Sequence, residues 1–426
     1  MSKSFSKIAV VGLGYVGLPL SLQFARSGVS VLGLDLDLIK VETLNAGKTY
    51  LEHFPSESIA EQVNSGRFEA TTDASRMSEV EAILICVPTP LDDHREPDLS
   101  FVLDTARTIA PHLVKGVLVA LESTTYPGTT EDELRAVLEG GSDFKAGTDF
   151  HLAYSPERED PGRCDASVKT IPKVVGGYTP KCAELAKALY GQALDKIHLV
   201  SSCRAAEATK LLENIFRSVN IALVNELKVV YEAMEIDVHE VIEAAATKPF
   251  GFMAFRPGPG LGGHCIPIDP FYLSWKAREF GKNTRFIELA GEINTAMPDY
   301  VISKVADALN EEGNAIKGSK ILILGLAYKA NVDDCRESPS FVLMEKLVAK
   351  GALVEYHDSF VPVIPSTREH SYFTGKKSVE IEDSYSLILV STDHAEYKNF
   401  DFTSYSSIMV DSRNCIEKKP KKYFHA

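Results

Sequence analysis

The sequence predicts an α/β protein in which two parallel-sheet domains, residues 1–203 and 313–426, are joined by a central helical domain, residues 204–312, that contains one long helix. Three observations predict it. Short continuous apolar runs alternate with amphipathic stretches at both ends of the chain, the pattern a parallel sheet needs when both of its faces are covered. The plan of the first end recurs at the second. Between them, from Ala205 to Ala308, helical periodicity dominates and strand signals vanish. A chain of 426 residues also exceeds what one core usually organises, at about 150 residues per domain.

The first copy of the plan runs Lys7-Ile-Ala-Val-Val-Gly12, an amphipathic stretch to Arg26, Gly28, a second apolar run from Val29 to Leu34, and then Asp35. It reads strand, glycine turn, helix closed by glycine, strand, acidic residue. The apolar stretch Ile8 to Leu22 behind Lys3 and Lys7 superficially copies a signal peptide. Three regularly placed glycines and a proline break it, and no small-residue cleavage site follows. Ala82 to Val87, followed by Pro88-Thr89-Pro90, is a further buried strand. In the middle, Ala206 to Met234 is a candidate long helix without internal Gly or Pro. Asn283 to Leu309 is expected to be helical with an interruption at Pro298. A linker helix of this length is expected to build a homodimer interface. The second copy starts at Lys320-Ile-Leu-Ile-Leu-Gly325, continues through a stretch to Lys350 and Gly351, and ends in the run Ala352 to Tyr356 near Asp358. Leu387 to Val390, with Ser391-Thr392-Asp393, answers the strand at Ala82. Both ends are expected to be Rossmann-like.

Apolar residues at 45% and charged residues at 24% are ordinary globular usage, which argues against disorder and against a fibrous architecture. The net charge of −14 is spread along the chain and gives no general attraction to nucleic acid, so a polyanionic substrate must meet locally placed Lys and Arg. Lys418, Lys419, Lys421 and Lys422 are expected to be a solvated, frayed end rather than an anion-binding tail. Seven cysteines, odd in number, widely spaced and without a Cys-x-x-Cys pair, argue against a disulfide framework and a zinc cluster. Neither a metal, a nucleic acid nor a membrane is expected as a partner, and the expected location is the cytoplasm.

Gly12-Leu-Gly14-Tyr-Val-Gly17 matches G-x-G-x-x-G, a weak signal alone. Here it follows a strand, opens a helix, and precedes Asp35 by about 18 residues, which makes it a dinucleotide fingerprint. Gly12 permits the tight turn, Gly14 lets the backbone approach a pyrophosphate, and Gly17 allows helix to pack on strand. Asp35 would accept hydrogen bonds from ribose hydroxyls and repel a 2′-phosphate, so NAD is expected rather than NADP. The densest signal is Pro257-Gly-Pro-Gly-Leu-Gly-Gly-His-Cys265-Ile-Pro267-Ile-Asp269-Pro270, a loop costly in ordering entropy. A single thiol there suits a nucleophile, with backbone N–H groups and a helix start expected at Phe271 to lower its pKa; an inert thiol in a structural turn is the alternative. Lys210 and Asn214 stand one helical turn apart, with Glu207 and Glu213 nearby. For such a polar pair a solvated helix face is the default.

These features, with Ser155-Pro-Glu157 and with Tyr328-Lys329 followed by Asp334-Cys-Arg336-Glu-Ser-Pro339, together resemble the UDP-glucose/GDP-mannose dehydrogenase family over essentially the whole chain. The resemblance implies an enzyme that oxidises the C6 alcohol of a UDP-sugar to the uronic acid with two NAD, for surface polysaccharide synthesis. It implies Cys265 as the nucleophile, through a thiohemiacetal and a thioester. Lys210 and Asp269 would assist proton handling and stabilise the oxyanion, Asn214 would orient the reacting oxygen, and Thr124 and Glu157 would position catalytic water. On the NAD side the resemblance places Gly12, Gly14, Tyr15, Val16, Gly17, Asp35, Lys40, Pro88, Thr89, Thr124 and Arg336. On the substrate side it places Glu157, Arg158, Lys210, Asn214, Phe252, Arg256, Gly260, Gly262 and Lys329.

After Glu157 the string Arg158-Glu-Asp-Pro-Gly162 departs from the glucose-oxidising members at their second acidic position and leaves the role of Glu159 open. Lys248-Pro-Phe250-Gly-Phe252-Met253, Gly262-Gly-His264-Cys265 and Glu122-Ser-Thr-Thr-Tyr126-Pro-Gly128 are more similar to the branch that acts on UDP-N-acetylhexosamines. UDP-N-acetylglucosamine is therefore the expected substrate, with UDP-N-acetylmannosamine and UDP-glucose as alternatives. Arg256 touches either substrate or packing. Gly325-Leu-Ala-Tyr-Lys329 lacks a third glycine, and its lysine suits a diphosphate, so UDP rather than a second dinucleotide is expected there. A two-electron β-hydroxyacid-type dehydrogenase would share the layout without needing Cys265. A non-catalytic nucleotide-sugar-binding protein would have no use for Cys265 or Lys210.

Overall fold

The computed structural model describes residues 3–51, 55–92, 96–158, 168–263, 266, 268–367 and 369–426. The chain forms two compact units, Met1–Glu213 with Phe271–Asn283, and Asn214–Pro270 with Thr284–Ala426.

The first unit is built on eight strands: β1 (Lys7–Val11), β2 (Ser30–Leu34), β3 (Phe68–Thr71), β4 (Ala82–Ile85), β5 (Leu118–Leu121), β6 (His151–Tyr154), β7 (Lys173–Gly177) and β8 (Ile197–Val200). Their order in the sheet is β3-β2-β1-β4-β5-β6-β7-β8. Every pairing is parallel except β6 with β7. β4 and β5 are buried at every residue because helices cover both faces, which is why they read as continuous apolar runs rather than as alternation. Alternate residues of one strand feed two cores: Ile8 and Val10 join Phe24, Leu84 and Leu118, whereas Ala9 and Val11 join Leu32, Ile83 and Leu152. The strand order reverses between β1 and β4, and at such a reversal the carboxyl ends of the strands open a crevice for a ligand. The stretch Ile8 to Leu22 is thus a core strand and the buried helix Gly17–Arg26.

The second unit carries β9 (Lys320–Leu324), β10 (Leu353–His357), β11 (Leu387–Val390), β12 (Ile408–Asp411) and β13 (Tyr423–His425), ordered β10-β9-β11-β12-β13 and wholly parallel. Between Cys203 and Glu311 the described residues form helices and no strand. The expected long helix is Cys203–Glu232, three residues earlier at its start than its apolar period indicated. The α/β architecture with two parallel sheets and helices between them is as the sequence predicts. No helix among the described residues is long and apolar enough to cross a membrane.

Four local expectations are corrected. Pro298 does not interrupt its helix, which runs unbroken from Arg285 to Glu311. A proline costs only its own hydrogen bond and local sterics, and buried Met297, Val301, Ile302 and Val305 hold the helix on either side of it. The helix of the second copy starts at Pro339, not at the Gly325 turn, because Ser338 caps it by accepting from Ser340 N and Pro339 occupies the first turn. The helix after the cysteine loop starts at Asp269 rather than Phe271, with the acidic group at the favourable end of its dipole. The C-terminal lysines do not fray: they lead into β13, Lys422 Nζ lies 2.6 Å from Glu312 Oε2, and Lys419 Nζ stands 4.2 Å over the Tyr423 ring.

Candidate active site

The fingerprint glycines separate into two kinds. Gly12 has φ +87°, and a Cβ there would lie 2.6 Å from Cys86 O; a Cβ on Gly17 would lie 1.9 Å from Gly12 O. Both are demanded by the protein's own backbone. Gly14 has open space around the position of a Cβ, so neither its conformation nor its packing requires glycine. The room is left at the start of the helix Gly17–Arg26, which has no side-chain N-cap, where an anion is favoured by backbone N–H groups and the helix dipole. Half-buried Asp35 closes the turn by accepting from Leu13 N at 2.9 Å and Asp37 N at 3.0 Å. Lys40 Nζ stands 5.7 Å over the Tyr50 ring, and Tyr15 is exposed. These residues fit a dinucleotide whose pyrophosphate lies against Gly14. Gly17→Ala is expected to destabilise the first unit, seen as a lowered melting temperature. Gly14→Ala is expected to leave that temperature within about 2 °C while weakening NAD by about tenfold or more, measured by calorimetry.

The second unit repeats the plan with a different outcome. Asp358 is buried and its carboxylate is saturated: Leu326 N and Ala327 N donate to one oxygen at 2.6 and 2.8 Å, together with His394 Nε2 at 3.0 Å, and Phe360 N and Val361 N donate to the other. His394 Nδ1 accepts from Asn331 N, so its Nε2 carries the hydrogen. This acid has no capacity left for a ribose, as expected of a domain that does not bind a second dinucleotide.

Loops at the carboxyl ends of β4, β5 and β6 bring the next group together. Thr89 Oγ1 donates to Thr124 O at 2.7 Å, Ser123 Oγ to Val87 O at 2.6 Å, and Tyr272 OH to Thr89 O and to Pro90 O, the latter at 3.3 Å. Pro88, Thr89 and Thr124 are thereby fixed to one another. Glu157 Oε1 accepts from Arg158 N at 2.6 Å. The Arg158 guanidinium is engaged by Glu213 at 2.5 Å and by Pro172 O at 2.6 Å. Glu207 is buried and accepts from Gly128 N, Thr130 N and Thr130 Oγ1 at 2.6 to 2.9 Å, tying the long helix to the loop that follows Thr124. Burial pushes its carboxyl up to about 7 against those three hydrogen bonds.

Three residues without an assigned role enter here. Lys173 Nζ lies 2.5 Å from Glu122 Oε2 and 3.7 Å from Glu157 Oε2, and Tyr190 OH donates to the other Glu122 oxygen. The signal for Lys173 was a charge at the head of an apolar run, Lys-Val-Val-Gly-Gly, that is buried throughout.

In the second unit the Asn214 amide donates to Asp269 Oδ2 at 2.5 Å, and both residues are buried. Lys210, one turn earlier on the same helix and within the first unit, is buried as well. The default of a solvated helix face is therefore set aside. Cys265, with His264 and Pro267, lies outside the described residues, as does Glu159. The glycine run before Cys265 is pinned rather than open. A Cβ on Gly262 would meet Tyr328 at 2.8 Å and Pro339 at 3.0 Å, one on Gly263 would meet the Tyr328 ring at 2.8 Å, and Gly260 lies against Pro339 and Pro298. Gly258 N donates to buried Asn225 Oδ1 at 3.0 Å. Lys329 is half-buried beside Tyr328. Arg336 makes a bidentate pair with Asp334 of its own loop, at 2.7 and 2.9 Å. Phe252 and Arg256 are exposed, with Arg256 3.5 Å from an equally exposed Glu243, so packing does not explain Arg256.

Comparison with known proteins gives three consecutive matches to one family. The NAD binding domain of the UDP-glucose/GDP-mannose dehydrogenase family matches residues 6–194, its central domain 204–296 and its UDP binding domain 322–418. The UDP-N-acetyl-D-glucosamine 6-dehydrogenase of Pseudomonas aeruginosa is 35% identical over 394 residues, 92% of this chain and 92% of that protein. The NDP-N-acetyl-D-galactosaminuronic acid dehydrogenase of Ralstonia nicotianae is 34% identical over 424 residues, 96% of each. The solved structure of a UDP-D-ManNAc dehydrogenase from Pyrococcus horikoshii superimposes with a TM-score of 0.88 at 32% identity, covering 98% of each chain.

Proposed function

The chain belongs to the UDP-glucose/GDP-mannose dehydrogenase family and is an NAD-dependent UDP-sugar dehydrogenase, and we propose that it carries its substrate through four electrons, from the C6 alcohol to the uronic acid. The observation that carries this reading is the buried Asn214–Asp269 pair, which sets a hydrogen-bond donor and an acid at the helix start four residues beyond Cys265. Bound NAD supplies the oxidant, one hydride at a time over two rounds. In the first round the alcohol proton passes toward Lys210 and Asp269, leaving an aldehyde. The Cys265 thiolate bonds to the aldehyde carbon and the oxygen takes a proton, giving a thiohemiacetal. Loss of the second hydride and of that proton leaves a thioester. Water held by Thr124 and Glu157 then attacks, Glu157 takes its proton, the C–S bond breaks, and the thiolate departs. One alcohol, one water and two NAD thus give one carboxylate, two NADH and three protons. Lys210 and Asn214 face an oxygen that gains negative charge at each step, worth roughly 3 kcal/mol apiece on oxyanion-hole precedent.

The best substrate on this reading is UDP-N-acetylglucosamine, with UDP-N-acetylmannosamine or UDP-glucose as alternatives, and the product serves surface polysaccharide in the cytoplasm. The N-acetylated sugar in the names of all three relatives supports the N-acetylhexosamine class. We place the domain boundaries at 1–203, 204–312 and 313–426, a division supported by the matched family domains. A homodimer through the long helix is supported by its exposed apolar stripe of Leu212, Phe216, Leu223 and Val230 at helical spacing. The test is NADH formed per sugar consumed, with the three UDP-sugars offered separately. About two NADH for one preferred sugar is expected; one NADH would overturn the four-electron route, and none would favour a binding protein.

A further inference from the structure

We infer that Lys173 is a positioning residue for the hydrolytic half of the reaction: clamped from behind by Glu122 and Tyr190, its ammonium holds the Glu157 carboxylate in place as the base that takes the proton of the attacking water. The inference rests on the proposed role of Glu157.

The sheet itself makes the juxtaposition. β6 and β7 are the antiparallel pair among otherwise parallel strands, with Ala153 opposite Gly177 and Tyr154 opposite Gly176. Continued past the end of β6, that register sets Glu157 opposite Lys173, and Ser155 Oγ donating to Val174 O at 2.8 Å holds the two segments together beyond the ladder. A parallel β7 would have put its first residue at the far edge of the sheet, away from the loops that carry Thr124 and Glu157. From Glu122 through Lys173 to Glu157 the side chains are 0%, 7% and 19% exposed, so the row runs from the core to the surface and ends at the carboxylate that meets water.

Among the described residues, these charged and titratable groups surround the row. Lys173 faces Glu122, Glu157, Cys86 and the Tyr190 ring, the last at 5.6 Å. Glu157 faces Lys173, and its near neighbour Arg158 is occupied by Glu213. Burial and Glu122 push both the Cys86 thiol and the Tyr190 phenol well up, so neither adds a charge to the row. Burial works against the Lys173 ammonium, yet Glu122 and Glu157 hold it charged. Burial likewise raises the Glu122 carboxyl while Lys173 opposes the rise. The surface carboxylate therefore sits at the positive end of a buried pair, and the two buried partners act on it with opposite sign.

The experiment is the pH dependence of carboxylate release in a single turnover of the NAD-loaded enzyme, followed by chemical quench. A base must be ionised to act, so release slows as pH falls through the base's pKa. Lys173→Met removes the cation and is expected to move this acid limb up in pH; Glu122→Gln leaves Lys173 to Glu157 alone and is expected to move it down. The double variant Lys173→Met/Glu122→Gln leaves no buried charge and is expected to fold with the limb raised, which covers the case in which Lys173→Met alone does not fold. Lys173→Arg is expected to keep the limb. A merely structural role would lower the rate at every pH without moving the limb, and that result, or shifts of the same sign in both single variants, overturns the inference. Glu157→Gln separates the two levels. If it leaves the limb in place, the role of Glu157 and the inference fall together; if it abolishes the limb while the other variants leave it unmoved, the inference alone falls.

Discussion

Cys265→Ala is expected to lower uronic acid production by on the order of 10³-fold or more, with the loss in kcat and little change in KM for the UDP-sugar. The thiol contributes nothing to holding the ground-state alcohol, so uniform binding should survive. Its work starts once the first hydride has left. A thiolate bonded to the aldehyde carbon turns a group that would escape or stall into a secondary alcohol, which can lose a second hydride. Without it the balance stops at one NADH per sugar with an aldehyde that carbonyl reagents trap. The check is therefore double: NADH counted per sugar, and aldehyde trapped in the variant but not in the parent. Two NADH and full acid from Cys265→Ala would remove the covalent route altogether.

How much of this was legible in the sequence depends on the distance over which the signal acts. Strands buried on both faces declare themselves as continuous apolar runs, and Leu387–Val390 has the bounds its run predicts. The first fingerprint was legible for the same reason, because strand, glycines and Asp35 form one local unit. The second copy shows where such reading stops. Asp35 and Asp358 follow the same strand plan, yet Asp358 is consumed by five donors, one of them His394 from far along the chain. No local pattern carries that information. Pro298 misled because a proline's penalty is local while the buried side chains that outweigh it are not.

The site was legible where a residue type is rare in its context and illegible where contact depends on register. Cys265 stood out by its loop, whereas Lys210, Asn214 and Asp269 took their roles from the family resemblance, and Asn214 and Asp269 do meet. Lys173 passed unnoticed and Glu122 counted only as the head of its string to Gly128, since their meeting with Glu157 depends on one antiparallel pairing in a parallel sheet. The fingerprint glycines were told apart by their spacing, whereas the glycines before Cys265 are explained only by the packing around them. Gly14 leaves room that the protein does not use, whereas Gly262 and Gly263 are small because Tyr328 lies against them.

Lys210→Met is expected to cost 10²- to 10³-fold in kcat, about 2.7–4 kcal/mol, and to do so in both NADH phases. Methionine keeps most of the length and the apolar stem of the lysine, so the buried position should stay packed while the charge is lost. The oxygen on C6 becomes more negative when the alcohol loses its proton, when the thiolate adds, when the thiohemiacetal is oxidised, and when water attacks. A cation aimed at that oxygen therefore helps every step, whereas Glu157 helps only the last. Rapid mixing separates the two cases. Lys210→Met should slow the first and second NADH phases alike, while Glu157→Gln should leave both fast and delay acid release. Asn214→Ala should resemble Lys210→Met at smaller cost, because the amide it removes is neutral and is already shared with Asp269. Were Lys210→Met to leave the first phase untouched, Lys210 would be no oxyanion partner, and the buried Asn214–Asp269 pair would have to carry the first hydride step unaided.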